Sequence, residues 1–162
     1  MDNYNINEKT SILIDKIKEK FPIGEKKSSI IESLLLLQHK NKGHITKDMM
    51  QALSKYLSVE EIDVYEIATF YTMFNTKPVG KNVIAVCNNV SCMLRGSDKI
   101  LKHIEQKLEI KIGESTKDNL FFIKDEAECL AACDGAPMMQ VNHNNYENLT
   151  IEKVDEILED LK

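Results

Sequence analysis

Hydrophobic and polar positions follow two different rhythms along the chain. In the first part apolar residues recur at helical spacing. Ile12, Leu13, Ile17 and Phe21 mark a segment from Glu8 to Lys20, and Ile30, Ile31, Leu34, Leu35 and Leu37 form a wide stripe. Met49, Leu53, Tyr56 and Leu57 then fall on one face, and Ile62, Tyr65, Ile67, Phe70 and Tyr71 carry a fourth segment. Ser29 with Glu32, and Ser58 with Glu61, fit the S-x-x-E capping box and predict the starts of the second and fourth helices. Thr46 predicts the cap of the third, and Gly43 closes the helix before it. Short polar connections between such helices predict a small bundle. Leu36 and the Met49-Met50 pair read as packing residues of that bundle.

The helical rhythm stops near Phe74. Asn75-Thr76-Lys77-Pro78-Val79-Gly80 reads as a linker, which predicts a helical bundle over residues 1–76 and a second domain over residues 81–162. There the pattern alternates. Val83-Ile84-Ala85-Val86 has the length of a buried strand and ends on Cys87, and Ser97 to Leu108 has one apolar side. Leu120-Phe121-Phe122-Ile123 predicts a second strand, and Met138 to Asn142 with Tyr146 to Leu149 predict a hairpin around an Asn/His turn. Thr150 predicts the cap of a last helix with Ile151, Val154, Ile157, Leu158 and Leu161 on its apolar face. A strand–helix–strand unit requires parallel strands and a right-handed crossover. With the hairpin and the covering helix, the order predicts an α/β layer of thioredoxin-like type.

Composition narrows the function. The chain has 162 residues, 43% of them hydrophobic and 29% charged, so it holds enough apolar material for a core. A formal charge of −5 and the lack of a basic stripe argue against nucleic acid as partner. The apolar runs are far shorter than the roughly 20 residues of a membrane span, so no direct membrane insertion is expected. The stretch from Met1 to Glu8 has early acids and no apolar block, so neither a signal nor a transit peptide is expected. A reducing compartment follows, in which cysteines read as ligands before they read as disulfides.

Four cysteines stand as Cys87-x4-Cys92 and, after 36 intervening residues, Cys129-x3-Cys133. Each pair follows a strand of the predicted parallel unit, so both should meet at one edge of the sheet. A dithiol redox center would call for C-x-x-C, which neither pair has. Four thiolates suit a structural zinc ion or an iron–sulfur cluster, and spacing alone leaves both open. A Rieske center would need two histidines, and none of His39, His44, His103 and His143 flanks a cysteine pair. Asn88, Asn89 and Ser91 are small and polar, able to turn the chain and leave backbone N–H groups free for sulfur. Gly96 and Gly135 are expected to allow close backbone approach. Of 21 basic residues only Arg95 is an arginine, three residues past Cys92; its planar fork suits backbone carbonyls or a partner carboxylate.

The segments Ala68-Thr69-Phe70-Tyr71-Thr72-Met73-Phe74, Cys87 through Cys92-Met93-Leu94-Arg95-Gly96, and Glu128-Cys129-Leu130-Ala131-Ala132-Cys133-Asp134-Gly135-Ala136-Pro137 resemble the E subunit of NADH-quinone oxidoreductase. This is the thioredoxin-like [2Fe-2S] ferredoxin family of respiratory complex I, and the resemblance spans nearly the whole chain, including Asn148-Leu149-Thr150. It implies an α/β, thioredoxin-like [2Fe-2S] domain preceded by an N-terminal helical bundle. It implies one [2Fe-2S] cluster held by Cys87, Cys92, Cys129 and Cys133; an acidic chain with few cations near the motif is expected to hold it at low potential, on the scale of about −400 mV for all-cysteine plant-type clusters. It implies a role in one-electron transfer with the FMN of an NADH-binding flavoprotein subunit, beside other peripheral-arm subunits. FMN and NADH are then expected only on the partner, consistent with the absence here of a G-x-G-x-x-G element or P-loop. The resemblance places the chain in the cytoplasm, on the inner face of the cell membrane through the complex. An NAD-linked hydrogenase or formate dehydrogenase that reuses this subunit is the alternative, and a zinc-stabilised interaction module the alternative of another class. One departure stands out: the family commonly has Gly where this chain has Ala131. The Ala68 to Phe74 segment is expected in the core at the domain junction, with one aromatic reaching toward a partner.

Overall fold

The structure, a computed structural model, describes residues 4–125, 127 and 129–162. Glu128, quoted in the second cysteine motif, and Met1, Asp2 and Asn3 lie outside the described residues. The chain forms two compact units, Met1–Pro78 and Val79–Lys162.

The first unit contains α1 (Glu8–Lys18), α2 (Ile30–Lys40), α3 (Lys47–Leu57) and α4 (Glu61–Phe70). Asn7 caps α1 through its side-chain oxygen, which accepts from the Thr10 N–H at 2.9 Å. Thr46 caps α3 as predicted, accepting from the Met49 N–H at 3.3 Å. The two capping boxes do not form. Ser29 ends a 3-10 turn, Lys26–Ser29, and its hydroxyl donates to the Lys26 carbonyl at 2.7 Å, so α2 starts without a side-chain cap. Ser58 has φ +54° and terminates α3 in the left-handed region, so α4 is entered from Glu60 instead. The core of this unit is Ile14, Leu34, Leu37, Met49, Leu53, Val64 and their neighbours, all buried. Gln38 is the buried polar group that ties the end of the bundle. Its amide donates to the Met73 carbonyl at 3.0 Å, and its oxygen accepts from the Asn75 N–H at 2.8 Å. Asn75 is therefore pinned to the bundle rather than free in a linker.

The second unit holds a mixed sheet of β1 (Asn82–Val86), β2 (Phe121–Ile123), β3 (Met139–Val141) and β4 (Asn144–Tyr146), in the order β2-β1-β3-β4. β1 pairs parallel with β2 and antiparallel with β3, and β3 antiparallel with β4. The parallel pair is connected through α5 (Val90–Leu94) and α6 (Ser97–Leu108), and α7 (Ile151–Asp160) closes the chain against α6. Ile84, Ile100, Ile104, Phe121, Ile123, Val141, Val154 and Leu158 form one buried core between sheet and helices. Thr150 caps α7 through the Lys153 N–H at 3.2 Å, as predicted.

The hairpin is tighter than its sequence suggested. Asn142 and His143 take φ +49° and +76°, the two-residue turn that matches strand twist. β4 accordingly begins at Asn144, and Leu149 lies beyond the strand, buried below α7. Asn82, buried at the start of β1, donates to the Leu161 carbonyl at 3.2 Å and accepts from the Asn142 amide at 3.0 Å. Gly80 leads into β1 so close to β2 that a Cβ there would lie 2.5 Å from the Phe121 carbonyl carbon.

Candidate metal centre

All four cysteines belong to the second unit. The β1–β3 ladder runs one step past its last strand pair, Val86 with Met139, because the Cys87 N–H donates to the Met138 carbonyl at 3.1 Å. Cys87 is thereby fixed at the C-terminal end of β1, where the parallel sheet argument placed it. Asn89 then caps α5, its side-chain oxygen accepting from the Val90 N–H at 2.8 Å, and the short helix turns Cys92 inward. This one-turn helix was not foreseen; five residues are too few to show a helical period. Cys87 and Cys92 are buried with Ala136 and Met138, while Leu130 and Ala132 pack partly against them.

Cys129 and Cys133 arrive on the segment after β2 and are exposed. Their sulfurs lie 3.9 Å apart. Two thiolates on one tetrahedral metal, with bonds of about 2.3 Å, stand about 3.8 Å apart, so this pair is already spaced for a shared metal. Cys87 interacts with Cys92, Cys129 and Cys133, and Cys133 also with Cys92 and Cys129, so the four sulfurs form one group with a buried and an exposed pair. Among the described residues no three His, Cys, Asp or Glu side chains converge on a single ion position.

The four sulfurs are surrounded by donors. Burial pushes the Cys87 thiol up, but the N–H groups of Leu130 and Asn89, with Cys92 and Cys129, outweigh it and hold the thiol below its ordinary value. Burial raises the Cys92 thiol, and the neighbouring Cys87 adds to this, against one N–H bond from Met138. The Cys133 thiol is raised chiefly by Cys129, while the Ser91 side chain opposes the rise. Of Asn88, Asn89 and Ser91, expected to offer backbone N–H groups, Asn89 does so to Cys87, whereas Ser91 reaches Cys133 through its side chain. The Leu130 and Met138 donors were missed, since backbone groups of apolar residues carry no mark in a sequence.

The glycines and the arginine play specific parts. Gly96 has φ +90° and starts α6, so it serves the backbone turn rather than close approach. Gly135 is the close-approach residue, where a Cβ would strike the Glu147 side chain. Ala131 takes φ +59°, the left-handed region that favours glycine. Arg95 reaches across from the end of α5, its Nη1 donating to the Ala136 carbonyl at a long 3.5 Å. His103 lies elsewhere, its Nε2 2.7 Å from Asp155 between α6 and α7. The site is rimmed on the α5 side by exposed Val90, Met93 and Leu94, the last at 78% exposure. The Ala68 to Phe74 segment departs from the expected core placement. Ala68 and Phe74 are buried, but Phe70, Tyr71 and Met73 are exposed, because α4 turns only one side to its own bundle.

Residues 14–162 match the family described as thioredoxin-like [2Fe-2S] ferredoxin. A protein of Rickettsia bellii (strain RML369-C), named as the E subunit of NADH-quinone oxidoreductase, is 43% identical over 99% of this chain and 95% of its own length. The E 2 subunit of NADH-quinone oxidoreductase from Rhizobium meliloti (strain 1021) is 41% identical, covering 85% of this chain and 81% of its own. Among solved structures, an NAD+-reducing [NiFe]-hydrogenase in the air-oxidized state shares the fold, with TM-score 0.66 and 21% identity over 79% of this chain. The match spans 22% of that hydrogenase chain. Among the described residues no helix is long and apolar enough to cross a membrane.

Proposed function

Starting from a chain that belongs to the thioredoxin-like [2Fe-2S] ferredoxin family, we propose that it is the electron-transfer subunit of an NADH-quinone oxidoreductase. In this reading Cys87, Cys92, Cys129 and Cys133 hold one [2Fe-2S] cluster. The observation that carries it is the group of four interacting sulfurs, two buried and two exposed, with N–H donors from Asn89, Leu130 and Met138. Two buried and two exposed thiols, the exposed pair 3.9 Å apart, suit two irons that each take a pair of thiolates.

When bound, such a cluster takes up and returns one electron at a time. The chain's own residues set the conditions. Cys87 and Cys92 are shielded from water by Ala136 and Met138, which keeps one side of the site dry. The N–H groups aimed at sulfur stabilise added negative charge. Cys129 and Cys133 face outward, so the electron crosses on that side. Val90, Met93 and Leu94 form an apolar rim from which a docked partner would expel water.

The partner is the NADH- and FMN-binding flavoprotein subunit, and other peripheral-arm subunits complete the assembly. The chain works in the cytoplasm, at the inner face of the cell membrane through that assembly. A quinone-linked enzyme is favoured over a hydrogenase or formate dehydrogenase because relatives at 40 to 43% identity are named for it. The likeness to the hydrogenase, at 21% identity, speaks to fold alone. The test is to isolate the tagged full chain from its own cells under mild conditions. A flavoprotein that oxidises NADH and releases FMN on denaturation should accompany it in equal amount. A chain recovered alone, with no flavin, would contradict the subunit reading.

A further inference from the structure

Helix α4 is apolar on two faces. One turns Val64 and Ala68 into the bundle. The other exposes Ile62 at 57%, Tyr65 at 50% and Phe70 at 78%, and Tyr71 and Met73 extend it. Large apolar side chains exposed together on the side away from the core mark a contact surface. Here the patch is also shaped. The Phe70 and Tyr71 rings meet edge to face at 5.1 Å, which steadies both. Together with Glu66, Ile67 and Thr69 they wall a shallow groove of about 520 Å³.

The charges around the patch are lopsided. Glu60, Glu61 and Glu66 are exposed along the helix. Lys27 pairs with Asp63 at 2.7 Å and lies near Glu60 and Glu66, one cation against three carboxylates. We propose that this face binds another protein chain of the same assembly, one whose contact surface is apolar at its centre and carries Lys or Arg at its rim. The proposal rests on the subunit reading above. A second copy of this chain does not fit, because a two-fold contact would bring both acidic rims together. A membrane surface does not fit either, since anionic headgroups repel the same carboxylates.

Hydroxyl-radical footprinting tests this on the full chain, once free and once within the assembled enzyme. Tyr65, Phe70, Tyr71 and Met73 should be labelled in the free chain, which should sediment as a monomer. In the assembly their labelling should fall several-fold. Glu66→Lys and Phe70→Ser, both at exposed positions and checked for native circular dichroism, should each lower the amount of chain retained after a salt wash. Equal labelling in both states, protection already in the free monomer, or a free chain that dimerises through this face would each overturn the proposal. Retention of Glu66→Lys equal to that of the unmodified chain would overturn it as well. A chain found in no assembly would overturn the subunit reading and this one with it, whereas an assembled chain with its face still labelled would overturn this inference alone.

Discussion

Replacing Ala131 by glycine should stabilise the protein at the centre of the loop between Cys129 and Cys133. Ala131 sits between Cys129 and Cys133 at φ +59°. An L-residue with a Cβ pays about 1–2 kcal/mol in that region, because the Cβ crowds the following carbonyl. Glycine removes this cost but loses about 0.4–1 kcal/mol through its freer unfolded chain. Ala131 is exposed, so its methyl contributes little burial to set against the change. The net gain lies between about 0 and 1.6 kcal/mol, about 0.8 kcal/mol at the midpoints, or about 3–6 °C in Tm for a unit of 60–100 residues. Ala132 supplies the control. It takes φ −118° and packs partly against the buried thiols, so Ala132→Gly gains no relief and should lower stability by about 0.5–1 kcal/mol. Thermal and urea unfolding of the metal-free full chain, followed by circular dichroism, measures both. Opposite signs for the two variants are expected. An Ala131→Gly variant no more stable than Ala132→Gly would refute the assignment of strain to this position.

Gly80→Ala would place a Cβ 2.5 Å from the Phe121 backbone, so β2 must shift, and a loss of about 1–3 kcal/mol is expected in the same unfolding assay. Cys→Ser at any of Cys87, Cys92, Cys129 and Cys133 should lower iron content, while His103→Ala, at a residue that pairs with Asp155 across α6 and α7, should leave it unchanged. Iron analysis of anaerobically prepared variants reads this, and equal loading in all of them would refute the ligand set. Lys107, and after it His103, hold the Asp155 carboxyl below its ordinary value of 3.8. A lowered carboxylate stabilises the fold above its unfolded pKa and loses that contribution as pH falls through the folded value. Urea midpoints of the metal-free chain should therefore drop less steeply below pH 3.8 in Asp155→Asn than in the unmodified protein. Parallel curves would contradict the pairing.

Local signals that depend on one side chain and the next turn were legible in the sequence. Thr46 and Thr150 cap their helices because a threonine before an amphipathic run has few other partners. Ser29 and Ser58 carry the same pattern yet fail, since a preceding 3-10 turn claims one hydroxyl and a left-handed helix end claims the other backbone. The parallel pairing of β1 and β2 followed from strand–helix–strand order. The hairpin of β3 and β4 was legible too, but β4 begins before the expected Tyr146, because Asn144 and Asn145 are polar and exposed and so leave no alternation to read. At the site, spacing brought the four cysteines to one sheet edge but could not say that Cys87 and Cys92 would be buried and Cys129 and Cys133 exposed. That division depends on α5 and on Met138, and tertiary contact alone reveals both.

Electron transfer by this chain depends on what the four thiols hold. Full-length chain purified without oxygen should contain two irons and two labile sulfides per chain, and after dithionite reduction should give a spin-half EPR signal that integrates to one electron. One zinc ion per chain, with no labile sulfide and no such signal, would contradict the electron-transfer account.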